Sequence, residues 1–144
     1  MAKKYIDIGL GELQKLLIGK IHEHRLIVLI ILVEKYKKAD KVSKKRIVNF
    51  YLKNLKHVNN WDLVDLSAEY ILGGYLLNRD KLLLYKLAKS DNLWERRVAI
   101  VSTFAFIKKN KFKETFTICR MLLSDKHDLI HKACGWMLKR NLSF

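Results

Sequence analysis

Residues 59–67 read NNWDLVDLS and hold the group with the most chemical potential in the chain. On a helix Trp61 and Asp65 stand four apart on one face, while Asp62 turns about 100° away, placed to cap or to form an ion pair near the helix start. An indole and a carboxylate are thus presented together. Taken by themselves, the two read more simply as a core tryptophan and an ion-paired aspartate. A second group is NLWERRVAI at 92–100, where Trp94 precedes Arg97 by three residues. An arginine there can fork two hydrogen bonds onto a phosphate, next to the free N–H donors of a helix start. Arg96 is expected to form a solvated salt bridge. A third group, DKHDLIHKACGWMLKR at 125–140, sets His127 and His131 four apart. Metal ligands use that spacing, but no third ligand is placed, so no metal is assigned. Asp128 and His131 are expected to make structural hydrogen bonds, and Trp136 follows Gly135, where the missing side chain would let another backbone come close.

Several chemistries have no signature. There is no Gly-rich phosphate loop, no GxSxG, no HExxH and no zinc-finger spacing. Cys119 and Cys134 form no CxxC motif and read as reduced, intracellular thiols, with Cys134 a small buried residue. HEH at 22–24 reads as a helix-cap region. Against 14 acidic residues stand 29 Lys plus Arg, a formal net charge of +15. Such a surface calls for an anionic partner, and nucleic acid is the first candidate because neutralised phosphates release counterions. The competing readings are a membrane surface and a merely lysine-rich proteome. The apolar run LIVLIILV at 26–33 is far short of the roughly 20 residues that span a bilayer and is expected to be a buried helix segment. The N-terminus shows no signal-peptide pattern.

These side chains need rigid supports, and the sequence offers helices. It has no proline, six scattered glycines, and apolar residues recurring at three- and four-residue spacing. Helices are expected over 10–18, 22–38, 43–56, 61–77, 79–89, 93–109, 112–124 and 127–140, with Ser43, Ser90 or Asp91, and Ser124 or Asp125 as N-caps. Joined by short polar links, they form antiparallel pairs in a single domain over 1–144. A compact bundle and a curved stack of pairs both fit. The stack is favoured because KKR (44–46) and ERR (95–97) would line up along one side of a superhelix.

Taken in order, IHEHRLIVLIILVEKYKK, FYLKNLKHVNNWDLVDLSAEYILGGYLL, LAKSDNLWERRVAIVSTFAFI and LLSDKHDLIHKACGWMLKR resemble the AlkD-like DNA alkylation repair family over nearly all of residues 6–140. The resemblance implies an all-α, HEAT-like helical-repeat superhelix of about eight helices. It also implies a DNA glycosylase that removes positively charged alkylpurines, 3-methyladenine and 7-methylguanine, from double-stranded DNA, without cofactor or metal. Asp65 would be the catalytic carboxylate, Trp61 and Trp136 would flank the deoxyribose, and Arg97 would hold the lesion's phosphate. Lys44, Lys45 and Arg46 are further DNA-binding candidates. The expected setting is cytoplasmic, on nucleoid DNA, with no membrane partner. Family members usually carry more helices at both ends. The short ends lead to the expectation of a weaker grip on DNA and of self-association through the uncapped flank. The alternative is a shortened, non-catalytic DNA-binding module.

Overall fold

The computed structural model describes residues 7–142, with side chains as far as Arg140. Among these residues every regular element is helical. Eight helices follow one another: α1 (Leu10–Leu17), α2 (His22–Lys38), α3 (Lys41–Lys53), α4 (Trp61–Ala68, prolonged by a π segment, Glu69–Gly73, and a turn, Gly74–Leu76), α5 (Leu82–Ala88), α6 (Leu93–Ser102, prolonged by Phe104–Ile107), α7 (Lys113–Met121) and α8 (Asp128–Leu142). The expected helices are all present, and 43–56 resolves into α3 plus a 3-10 turn, Leu55–His57.

The caps differ from the expected ones. Asp40, not Ser43, caps α3 by accepting from the Ser43 N–H. Asn92 caps α6, its Oδ1 taking the N–H groups of Trp94 and Glu95, while Ser90 serves one step back by accepting from Asn92. Asparagine and aspartate bridge to N2 and N3 as well as serine does, so composition alone did not rank them. Asp125 accepts from the His127 N–H just before α8.

α2, α4, α6 and α8 form a row of parallel helices. At one end His22 meets Asp62, Asp65 meets Arg97, and Arg97 meets Leu129. At the other end Lys37 lies over Tyr70, and Phe104 meets Trp136. The odd-numbered helices return between them and pack behind the row. The core between the layers is aliphatic, and Val98, Ala99, Ile100 and Val101 make α6 buried nearly all round. The segment 26–33 is only partly buried: Val28, Leu29, Ile31, Leu32 and Val33 enter the core, but Ile27 and Ile30 are 41% and 40% exposed. α2 stands at the edge of the row, so one of its faces, apolar at Ile27 and Ile30, stays in solvent.

Two irregularities face each other where α4 crosses α6. In α6 the hydroxyls of Ser102 and Thr103 bond back to the carbonyls of Val98 (2.6 Å) and Ile100 (2.7 Å), a competition with the backbone that breaks the helix at Thr103. In α4 the π segment brings Gly73 onto that break. A Cβ on Gly73 would lie 2.3 Å from the Ser102 carbonyl oxygen and 2.9 Å from the Ala105 Cβ. The close backbone approach expected at Gly135 is therefore at Gly73; nothing lies within 4 Å of the equivalent position at Gly135.

Candidate active site

Asn60 starts α4 by accepting from the Trp61 N–H, and the buried stripe Leu63, Val64, Ser67 and Ala68 then fixes its rotation. Behind it, the Ser67 hydroxyl donates to the Leu63 carbonyl (2.6 Å) and accepts from the Tyr51 hydroxyl (2.8 Å), tying α3 to α4 in the core. Burial pushes the Tyr51 phenol well above its ordinary range, partly opposed by the bond to Ser67 and reinforced by the negative charge of Asp65. That phenol stays a neutral donor. With this face locked inward, the opposite face presents Trp61, 53% exposed, and one turn later Asp65. Trp61 is thus not a core ring.

Asp65 is an ion-pair partner, and a strongly held one. Arg97 on α6 donates from Nε to Oδ1 (3.0 Å) and from Nη2 to Oδ2 (2.8 Å), a two-pronged clamp, and from Nη1 to the Leu129 carbonyl (2.6 Å) on α8. One guanidinium therefore joins α4, α6 and α8. Its side chain is 7% exposed and that of Asp65 is 20% exposed, so the carboxylate keeps an open edge while the cation is buried. Burying a guanidinium is tolerable only with such full pairing. Its forked donors are what lysine lacks.

The neighbouring Arg96 is not solvated as expected. Its Nε and Nη2 clamp Asp125 at 2.6 and 3.3 Å, and its Nη1 holds the carbonyls of Ser90 and Asp91. The side chains of both partners are largely buried, because the loops before α6 and α8 close over them. Burial works to raise the Asp125 carboxyl, but the bonds from Arg96 and the His127 N–H outweigh it, and the group sits below its ordinary range. His131 donates to the Asp125 carbonyl at 2.5 Å, the structural role expected of it. Among the described residues no group of three metal-binding side chains occurs.

The structure brings Asp65 and Arg97 together, with Trp61 one turn from Asp65. Trp136 stands on α8 seven residues after Leu129, about 10 Å along the axis, half-buried and edge-on to Phe104 at 6.1 Å between centroids. Lys44, Lys45 and Arg46 are elsewhere. They lie on α3, where Lys44, near the C-terminal end of α4, covers the Tyr36 ring (5.1 Å) and lines a cavity of about 430 Å³ with Tyr75 and Arg79, while Arg46 lines another with Asp7, Leu10 and Lys38. KKR and ERR therefore do not line up: one flanks the end of α4, the other its first half.

Two features went unread in the sequence. His22 Nε2 lies 2.7 Å from Asp62 Oδ2, so HEH ties α2 to the start of α4. Glu69, one turn after Asp65 and 7% exposed, pairs with Lys108 on α6. The signal for Glu69 was present, since it continues the four-residue spacing from Trp61 through Asp65. Its partner, 39 residues on, was not readable from spacing.

A family model described as DNA alkylation repair enzyme matches residues 1–142. Searches of curated proteins and of solved structures found no significant match. No described helix is long and apolar enough to cross a membrane.

Proposed function

The chain belongs to the DNA alkylation repair enzyme family, and from that premise we propose that it is a DNA glycosylase. Its substrates are cationic alkylated purines in duplex DNA, such as 3-methyladenine and 7-methylguanine. A ring-alkylated purine already carries positive charge, so when the C1′–N bond breaks its electron pair neutralises the departing base, and no general acid is needed. The positive charge passes to the sugar as an oxocarbenium-like centre. A carboxylate beside C1′ stabilises that centre and orients a water, which attacks C1′, loses a proton and leaves an abasic site.

The observation that carries this reading is Asp65, held in a two-pronged clamp by a buried arginine one turn from an exposed indole. The clamp uses one lone-pair direction on each oxygen, leaving the open edge to face sugar and water. Arg97 keeps the carboxylate oriented. A phosphate contact then falls to the second N–H on Nη1 and on Nη2. Trp61, with Trp136 across the row, offers an aromatic face to the cationic sugar. Basic side chains such as Lys44, Lys45 and Arg46 grip backbone farther along, a positioning role.

The binding-only module keeps one supporting observation, namely that both Asp65 oxygens are already taken by Arg97. The deciding experiment is chromatographic detection of free methylated purine after incubation with alkylated duplex. Release with matching abasic sites supports the glycosylase; tight DNA binding with no release supports the module.

A further inference from the structure

About 15 Å past Asp65 along α4, a different set of groups converges. The last turn of α2 (Tyr36), the first turn of α3 (Lys41 and Lys44) and the end of α4 (Gly74, Tyr75 and Arg79) border the cavity of about 430 Å³. Three cations line it and no carboxylate does. Lys41 and Lys44 stand three apart on one helix face, where like charges repel. Among the described residues none of the three cations forms an ion pair. The carboxylates adjoining them in sequence are engaged elsewhere, Asp40 with the Ser43 N–H and Asp80 with the Leu82 N–H. Two of the cations rest instead on rings: Lys44 Nζ lies 5.1 Å from the Tyr36 centroid, and the Arg79 guanidinium 3.8 Å from that of Tyr75. An aromatic face holds a cation without neutralising it. Arg79 Nη1 donates to the Tyr75 carbonyl, and the other donors of its fork are open to a ligand. The wall also holds a buried donor. Tyr36 is 7% exposed, and its hydroxyl makes no hydrogen bond among the described residues. A Cβ on Gly74 would rest on that ring, 3.5 Å from Cε1 and 3.8 Å from the hydroxyl, so the glycine leaves this edge uncovered. Burial pushes the phenol up, the charge of Arg79 opposes this only in part, and the group stays a neutral donor. A buried hydroxyl without a partner is disfavoured, and an acceptor in the cavity would satisfy it.

We propose that this cavity binds a terminal phosphate, the phosphomonoester of a nucleotide or of a DNA end. The proposal stands apart from the glycosylase reading, since none of these groups acts on the sugar. Charge and oxygen count select the ligand. A phosphomonoester carries about 1.5 to 2 negative charges at neutral pH and offers three strong acceptor oxygens. Three cations and a phenol O–H match it. A phosphate inside a strand carries a single charge, and two of its oxygens are tied to sugars. Arg79 takes two oxygens through its fork, Tyr36 donates to the third, and Lys41 and Lys44 balance the charge. Lys45 and Arg46 do not line this cavity, so of that basic triplet Lys44 alone takes part. The volume falls within the range of small-ligand sites and leaves room beside the phosphate for the group that bears it.

The test titrates inorganic phosphate and deoxyadenosine 5′-monophosphate, with deoxyadenosine and dimethyl phosphate as controls, against the wild type, Arg79→Gln, Tyr36→Phe and Lys89→Gln. Binding is followed at neutral pH by calorimetry and by the ring-proton shifts of Tyr36 and Tyr75. The wild type should bind inorganic phosphate and the monophosphate well above either control. Arg79→Gln should weaken that binding by about tenfold to a hundredfold, the range for losing a hydrogen bond to a charged group. Tyr36→Phe keeps the packed ring, removes only the hydroxyl, and should weaken it by about tenfold. Lys89→Gln removes one charge outside the cavity and should leave binding unchanged. Arg79 is exposed, so its replacement keeps the test usable if the Tyr36 variant does not fold. Binding of the monophosphate no tighter than that of dimethyl phosphate, or an equal loss in Lys89→Gln and Arg79→Gln, overturns the proposal in favour of general attraction to a basic surface. Two short duplexes alike except for 5′-phosphate or 5′-hydroxyl ends separate the sources. A preference for the phosphorylated end that Arg79→Gln removes assigns the site to DNA ends. Equal duplex affinities beside tight monophosphate binding assign it to a free nucleotide.

Discussion

Removing Asp65 should destabilise the fold more than removing Arg97, and the reason lies in unequal burial. The Arg97 side chain is 7% exposed and the Asp65 side chain 20%. In Asp65→Leu the guanidinium keeps only the Leu129 carbonyl and remains a buried charge without a counterion. Breaking a buried pair that way costs about 3–5 kcal/mol. In Arg97→Met the carboxylate can draw water through its open edge. What remains is a lost charged pair and an unsatisfied Leu129 carbonyl, about 2 kcal/mol in all. The double variant removes both charges and should be more stable than Asp65→Leu alone, with a coupling of at least about 2 kcal/mol, as expected for residues in direct contact. Urea denaturation of the four proteins at one pH measures all of this. On heating, each kcal/mol should move the midpoint by about 3 °C for a chain of this size. Single variants within about 0.5 kcal/mol of wild type, as for an exposed ion pair, or strictly additive losses would refute the picture of a buried clamp.

Three further outcomes follow from the geometry. Gly73→Ala should lose at least about 2 kcal/mol, since its Cβ would sit 2.3 Å from a backbone oxygen that cannot move alone, whereas Gly135→Ala, in open space, should gain about 0.5–1 kcal/mol of helix propensity. Thermal denaturation of the pair checks both signs. The lowered carboxyl of Asp125 contributes stability that is fully present above the unfolded value near 4 and is lost as pH falls through the folded value, so Asp125→Asn should flatten the acid limb of a stability–pH curve below about pH 4. An unchanged acid limb would remove the Arg96 clamp from the account. DNA affinity should fall steeply on a log–log salt plot, by about 0.9 per phosphate neutralised, and a flat plot would contradict phosphate contacts.

The helical class was legible because it depends on local pattern. With no proline and sustained three- and four-residue spacing, the helices had to fall near their observed bounds. The caps were less legible, since Asp40 and Asn92 compete with nearby serines on equal chemical terms. The π segment at Glu69–Gly73 had no local signature, because it goes with the contact of Gly73 with the Ser102 carbonyl, a long-range fact, whereas the break at Thr103 has one in the adjacent Ser102 and Thr103, whose hydroxyls bond back to the helix. The same limit explains Arg96 and Arg97. Adjacent in sequence and alike in type, they diverge because one faces the loop carboxylate Asp125 and the other faces α4. Trp61 and Asp65 could be placed on one face from spacing, but the exposure of the indole and the clamp on the carboxylate are properties of the packed row.

The measurement that tests the central claim most directly is single-turnover release of 7-methylguanine from alkylated duplex by wild type and Asp65→Asn, below the melting range of both and at protein concentrations that saturate the DNA. The account predicts release by the wild type and loss of at least about a hundredfold in the variant, the scale of removing a preorganised stabilising group, with DNA affinity retained. Release by Asp65→Asn at the wild-type rate would show that the carboxylate is only a structural partner of Arg97.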